Sequence, residues 1–462
     1  MKIKRTVTAL MAAAFLLSLT ACAKKEASSE NSGGASASQT NSASATSGVN
    51  GGVSAAEGAQ DDVSLAESAE ADVSKAESAE EEIYEAKPID PPNIWEIMPE
   101  IPVTDAGAFE YEYDIELGGV VVTDYYGDSL TVRIPDTIDG ENVVGVDLSE
   151  CAVKLTQLVM PNTAKSFALS EMIRGALEYA NIPTAIYKLS ADAFRGCANL
   201  KNIIIPESVI AIEDGEFADY GNKISGAFSG CRSLTSITIP DSVTSIGTYT
   251  FNGCTGLTSI TIPDGVTELI GVFRGCTGLT SVTIPEGVTD ISGLFCGCTS
   301  LTSVNIPDGV TELNNVFNGC KSLTSITIPD GVTKIGNSAF FECESLTSIT
   351  IPNSVTVIDV YTFYGCTGLT SITIPDSVTG IGECAFRYCT GITGLTLGSG
   401  VTTIGSKAFE GCKGITSLTL SKNITSIAND AFADCYNLVI IYRGKEYRYT
   451  DLRELRSDIE NS

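Results

Sequence analysis

The sequence predicts a repeat solenoid: a right-handed coil with a parallel β-sheet on its concave face, capped by a β-hairpin at one end and by a strand plus short helix at the other. Three observations predict it. A register residue recurs at Pro206, Pro240, Pro263, Pro285, Pro307, Pro329, Pro352 and Pro375 and continues as Gly398, Ser421 and Gly444, spaced by 22 or 23 residues apart from one longer step. Within a unit, Leu234, Ile237 and Ile239 alternate with Ser236 and Thr238, the period of two of an extended segment. A Phe is followed three residues later by a Cys in unit after unit, from Phe194 and Cys197 to Phe432 and Cys435. At 462 residues an ordinary chain would form two or three domains. Repeats that pack only on their neighbours escape that prior.

Composition removes several function classes. A formal charge of −29 argues against nucleic acid, whose phosphates call for clustered Lys and Arg. The absence of His removes the commonest general base and the commonest metal ligand together. No nucleophile–base set, phosphate loop or metal cluster is visible, so the chain reads as a non-enzyme with no cofactor.

Taken in order, residues 1–21 read as a signal peptide: Lys2, Lys4 and Arg5 precede an apolar run from Val7 to Leu19. The run stops at Leu19-Thr20-Ala21-Cys22, which resembles the bacterial lipobox and implies lipidation of Cys22. An ordinary signal peptide with an incidental Cys, or an uncleaved anchor, is the competing reading. Several acyl chains at ~0.8 kcal/mol per buried CH₂ anchor a protein stably. Residues 22–104 read as a disordered acidic tether rich in Ser, Ala and Glu, with too little apolar surface to offset its ordering entropy. A ten-residue repeat inside it (Asp62-Val63-Ser64, then Asp72-Val73-Ser74) keeps no continuous helical stripe. As a coil of roughly 80 residues the tether would span about 50 Å.

Residues 105–134 read as the amino-terminal β cap, because Phe109, Tyr111, Tyr113 and Ile115 alternate with acids before Gly118-Gly119 and Val120, Val122. Residues 135–435 hold the repeats. In each, a strand ends at the register Pro, Asp-Gly or Asp-Ser makes a turn, Val243 and Ile246 point back inside, and Phe251 fills the far wall. About six apolar groups per coil, at roughly 1.5–3 kcal/mol each, cannot fold one coil alone, but stacked coils share a core. Residues 436–462 read as the carboxyl-terminal cap, with strands around Ile440 and Tyr447 and a short polar helix from Thr450 to Ile459.

The L-x-x-I-x-I-P strand, the following I-G pair and the A-F-x-x-C segment resemble the BspA-like, treponemal type of leucine-rich repeat, over about Phe109 to Leu455. The resemblance implies a surface-exposed lipoprotein of the adhesin kind, binding a host or bacterial surface protein or glycan. The 22-residue coils between Pro263 and Pro329 depart from the pattern, as in Leu269-Ile270-Gly271-Val272-Phe273.

One Cys per coil and an odd total in the ladder favour a buried thiol stack over disulfides. Cys296 with Cys298 is the one close pair, and zinc sites use more. Asp241, Asp264, Glu286, Asp308, Asp330 and Asp376 form an acidic edge, explained either by turn chemistry or by calcium.

The outward strand positions form a hydroxyl ladder, the candidate ligand face: Ser236 and Thr238, Ser259 and Thr261, Ser281 and Thr283, Ser325 and Thr327, Ser348 and Thr350, Ser371 and Thr373. The bland alternative is that Ser and Thr are soluble β-formers; regular Thr rows are also the mark of ice-binding solenoids, whose signature is a flat Thr-x-Thr array, whereas the rows here mix Ser. Tyr179, Asn181, Asn202 and Ile204 at one end, and Ile440 and Tyr442 at the other, interrupt the uniformity. The long step from Pro206 to Pro240 holds an insertion with Asp219, Tyr220 and Asn222, either a binding loop or a scar of duplication. The expected protein is a monomeric cell-surface binder, membrane-attached through its lipid; a structural envelope spacer or coat with no ligand is the alternative.

Overall fold

The computed structural model describes residues 101–215 and 226–461, all within one compact unit, Ala86–Ser462. The signal peptide, Cys22, nearly all of the tether, and Asp219, Tyr220 and Asn222 of the insertion lie outside the described residues. The described chain is a parallel β-solenoid of about 14 turns.

The amino-terminal hairpin is where alternation placed it: Phe109–Asp114 pairs antiparallel with Gly119–Tyr125. Asp114 Oδ1 accepts from the amides of Glu116 and Leu117, and Gly118 takes the left-handed conformation the turn needs. Gly119–Tyr125 then pairs in parallel with Glu141–Leu148, which pairs in parallel with Ser166–Leu169, so the hairpin sheet runs straight into the coils. Val120, Val122, Val143, Val146 and Leu148 close this end of the core.

Two ladders rather than one hold the coils together. The first uses two residues from the T-S-I-G segment of each unit. Glu312–Leu313, Lys334–Ile335, Val357–Ile358, Gly380–Ile381, Thr403–Ile404 and Ser426–Ile427 pair in parallel one after another. The second is the L-x-x-I-x-I face, which is less continuous than the repeat pattern predicts. Single bridges link Thr238 to Thr261 and Thr261 to Thr283, and four-residue pairing returns between Ser371–Ile374 and Gly394–Leu397. Where the register residue is Pro, it closes the strand segment and withholds one N–H from the ladder.

The far wall is a column of rings. Consecutive Phe side chains from Phe194 to Phe432 stack nearly parallel and fully buried, with centroids 5.3 Å apart for Phe340 and Phe363. In the 22-residue coils the residue before the Phe is Val272, Leu294 or Val316 instead of Ala339, Thr362 or Ala385. The rings there stand 5.8, 6.0 and 5.9 Å apart, against 5.1 to 5.4 Å from Phe317 onward. One residue fewer, and a bulkier one, reshape this wall locally.

At the far end Val439–Tyr442 pairs in parallel with Ser417–Thr419 and antiparallel with Lys445–Arg448 through a turn at Arg443 and Gly444, both left-handed. The helix Leu452–Glu460 begins two residues later than its sequence suggests and is not simply polar: Leu455 and Ile459 are buried beneath it. Ile440 and Tyr442 are also corrected. Both point into the core, because the closing strand pairs Leu418 with Ile440, one residue out of step with the register counted back from Gly444.

Candidate ligand-binding face

The hydroxyl ladder exists as a surface. Ser236, Thr238, Ser259, Thr261, Ser281, Thr283, Ser325, Thr327, Ser348, Thr350, Ser371 and Thr373 are all exposed, while the intervening Ile237, Ile260, Val282, Ile326, Ile349 and Ile372 are buried. Period-two alternation produces this directly. None of these hydroxyls hydrogen-bonds to another of the described residues, so they face outward unpaired.

A neighbouring column that sequence reading passed over behaves differently. Thr258 Oγ1 donates to the Thr235 carbonyl at 3.4 Å, Thr280 to Thr258 at 3.3 Å, Thr302 to Thr280 at 3.3 Å, and Thr370 to Thr347 at 3.3 Å. Backbone amides follow the same staircase. The Ser of each Asp-Ser turn is used too: Ser242 donates to the Val209 carbonyl at 2.8 Å and Ser377 to that of Val355 at 2.7 Å. Hydroxyl-rich composition alone could not separate structural Thr from free Thr. The test is whether the preceding coil offers a carbonyl within reach.

The residues expected to individualise the ends divide. Tyr179 is half-buried beside Lys201, whose ammonium lies 5.5 Å from its ring and pairs with Glu178 at 2.6 Å. Asn202 is half-buried and bridges to Tyr179 in parallel. Asn181 is corrected: it is buried, its Oδ1 accepts from the Met160 amide at 2.7 Å and its Nδ2 donates to the Met160 carbonyl at 2.8 Å. A side chain satisfied at both ends below the surface clamps two coils and offers nothing to a ligand.

The face is not flat throughout. A depression of about 620 Å³ lies where Ser348, Thr350, Ser371, Thr373 and Thr396 meet, and another of about 630 Å³ lies between Thr396 and the strand with Ser417 and Thr419. These join part of the predicted ladder to residues the repeat pattern did not single out.

The ladder cysteines form the predicted buried stack, and Cys296 stands half-exposed outside it. Cys254 Sγ donates to the Phe228 carbonyl at 3.1 Å, Cys276 to Phe251 at 3.1 Å and Cys389 to Phe363 at 2.9 Å, each reaching the coil before its own. Burial pushes the thiols up, Cys197 and Cys276 to about 12, so they are protonated at neutral pH. Among the described residues no group of three His, Cys, Asp or Glu could hold a metal ion, and no helix is long and apolar enough to cross a membrane. On the acidic edge, Asp376 accepts from the amide and hydroxyl of Ser399 at 2.6 and 3.0 Å, and these bonds hold its carboxyl below the usual range.

Stacked strands, an inward Leu and Ile set and a ring column define a leucine-rich-repeat solenoid. The family model for the BspA type leucine rich repeat region matches residues 172–225, 222–316 and 313–439 in 6 copies, and the chain belongs to that family. A leucine-rich repeat protein from Bacteroides ovatus is 27% identical, covering 74% of this chain and 88% of that one with a TM-score of 0.63. A leucine rich cell surface protein from Faecalibacterium prausnitzii is 26% identical over 74% of this chain and 89% of that one, TM-score 0.42. A Treponema pallidum leucine rich repeat protein is 29% identical over 43% and 91%, TM-score 0.37. Among curated proteins there is no match. Proteins with these repeats are typically found at the cell surface, and leucine-rich-repeat solenoids are generally non-enzymatic.

Proposed function

We propose that this chain is a lipid-anchored surface protein that recognises a protein or glycan through its hydroxyl face. The observation that carries the reading is the contrast between two adjacent columns of hydroxyls. Those at Thr258, Thr280 and Thr302 are spent on the preceding coil, whereas those at Ser236, Thr238 and their counterparts face outward unpaired. Strand pleat turns this face outward, and its hydroxyls, spent on no neighbouring coil, are left as donors and acceptors for a ligand. Membrane attachment through Cys22 and display on a long acidic tether suit such a role.

Replacing Thr238, Thr261, Thr283 and Thr327 together by Lys leaves the core untouched, because all four side chains are exposed, and an unchanged melting curve certifies the fold. Cells displaying that variant are expected to lose adherence to the ligand-bearing surface. Unchanged adherence, with no ligand emerging from glycan-array or pull-down screens, would favour an envelope spacer or coat instead. For the anchor, an alkyne fatty-acid label is expected on the wild-type chain and absent from Cys22→Ser, with the variant released into the medium.

A further inference from the structure

We propose that the coil Gly394–Gly398 is a recognition notch in the hydroxyl face and that it seats a pyranose ring of a saccharide; this rests on the face being the binding surface. The face is nearly uniform until this coil, which replaces the usual outward Ser by Gly394 and the register Pro by Gly398. Gly398 is required by close approach, since a Cβ there would stand 2.4 Å from the Pro375 carbonyl oxygen. That contact draws the coil onto the one before it, with which it pairs over four residues from Ser371↔Gly394 to Ile374↔Leu397. Toward the following coil, among the described residues, Gly394–Leu397 forms no strand pairing with Ser417–Thr419.

The consequence is an apolar floor that the two neighbouring coils hide. Leu395 and Leu397 are half-exposed, whereas Ile372, Ile374, Leu418 and Leu420 at the same positions in the neighbouring coils are buried. The two depressions flank this floor and share Thr396 and Leu397. Hydroxyls of Ser371, Thr373, Ser417 and Thr419 wall it. Aliphatic ground walled by hydroxyls, with Asn353 and Asp376 at one margin and Lys422 and Asn423 at the other, matches a pyranose, which presents C–H groups on its faces and hydroxyls around its rim. A protein partner would call for the Tyr, Trp or Arg anchors that dominate protein hot spots, and the lining contains none.

The test uses the full chain carrying Cys22→Ser, titrated calorimetrically with hexasaccharides of the cello, malto, xylo and chitin series. At least one series is expected to bind, and Gly394→Leu to weaken it by about tenfold or more. That side chain stands beside Ser371, a wall residue of the first depression, and crowds that wall without disturbing the coil, because a Cβ at Gly394 meets Ser371 Cβ at an ordinary 3.4 Å. Thr396→Lys is the second variant, and unchanged melting curves certify both folds. Thr238→Lys with Thr261→Lys, far along the face, is expected to leave the affinity unchanged. If those distant changes abolish saccharide binding while Gly394→Leu does not, the notch is refuted and the face stands. If no series binds at millimolar concentration, the saccharide assignment is overturned. A protein ligand lost in the Thr→Lys variants would then still uphold the face, and one that ignores every variant would sink both.

Discussion

Each ladder Cys does two small things at once: it fills a volume beside the ring column and spends its one weak donor on the preceding coil. The Phe295 carbonyl accepts from the Cys320 thiol at 3.2 Å and also from the Cys298 amide at 2.9 Å, so losing the thiol leaves no orphaned acceptor. Cys320→Ala should therefore cost only a packing defect, about 1–2 kcal/mol, read as a lower denaturation midpoint. With pKa values held high by burial, the ladder thiols should resist iodoacetamide in the folded chain at neutral pH while half-exposed Cys296 is labelled. Peptide-level mass spectrometry would show it, and ladder labelling at the Cys296 rate would contradict the stack. A different economy governs Glu342. Two residues past the ring Phe the chain is left-handed, and Gly253, Gly275, Gly297, Gly319 and Gly365 meet that demand. Glu342 meets it at φ 52° with a Cβ penalty of roughly 1–2 kcal/mol. Its exposed ion pair with Lys321, at 3.7 Å, is worth about 0–1 kcal/mol, and Lys321 keeps Glu344 at 2.6 Å. Glu342→Gly should raise the thermal midpoint slightly; a fall would mean the pair outweighs the strain.

At the scale of elements, the closing cap is tied by carboxylates. Lys445 bonds Asp458 at 2.8 Å and Glu454 at 2.7 Å, reaching from the last hairpin to the helix Leu452–Glu460. Lys445, then Tyr447, holds the Asp458 carboxyl below its ordinary range; the Arg448 amide, then the Thr450 hydroxyl, does the same for Asp451. A depressed folded pKa means the unfolded chain takes up the proton first. The stabilisation is therefore present above the ordinary Asp value of about 3.9 and is lost as pH falls through the lower folded values. Hydrogen exchange in this helix should accelerate relative to the central coils between pH 5 and pH 3, and parallel behaviour of both regions would refute it. The elements also mark the limits of sequence reading. The hairpin at Phe109, the ring column and the inward Ile set were legible because their periods are fixed by strand pleat and coil length. Asn181 was not, since an Asn at an outward position bends inward only when a carbonyl and an amide wait below it, as those of Met160 do. Ile440 and Tyr442 were misplaced for a related reason: a single residue lost before the last strand reverses every side chain after it. The notch at Gly394–Gly398 depends on the close approach of Gly398 to the Pro375 carbonyl of the preceding coil, which no count along one coil contains.

For the whole molecule, coupling between coils is local, because both ladders, the ring column and the thiol bonds reach only to the neighbouring coil. Removing a complete unit should then leave every remaining coil with partners of the same kind. Deleting Asp264 through Pro285 joins Pro263 to Glu286, brings Phe251 against Phe295, and sets Cys298 Sγ before the Phe251 carbonyl that Cys276 used. The shortened chain is expected to fold with an unchanged circular-dichroism shape and a smaller denaturant slope, as the surface exposed on unfolding shrinks by one coil. Deleting only Asp264 through Arg274 removes half a circuit. It sets the strand of one coil against the turn of the next, so the apolar groups of the coils meeting at the junction lose their facing partners, and rapid proteolysis on both sides of the cut is expected. Equal resistance of the two deletions to protease would mean that the coils are not the units in which this molecule is stabilised.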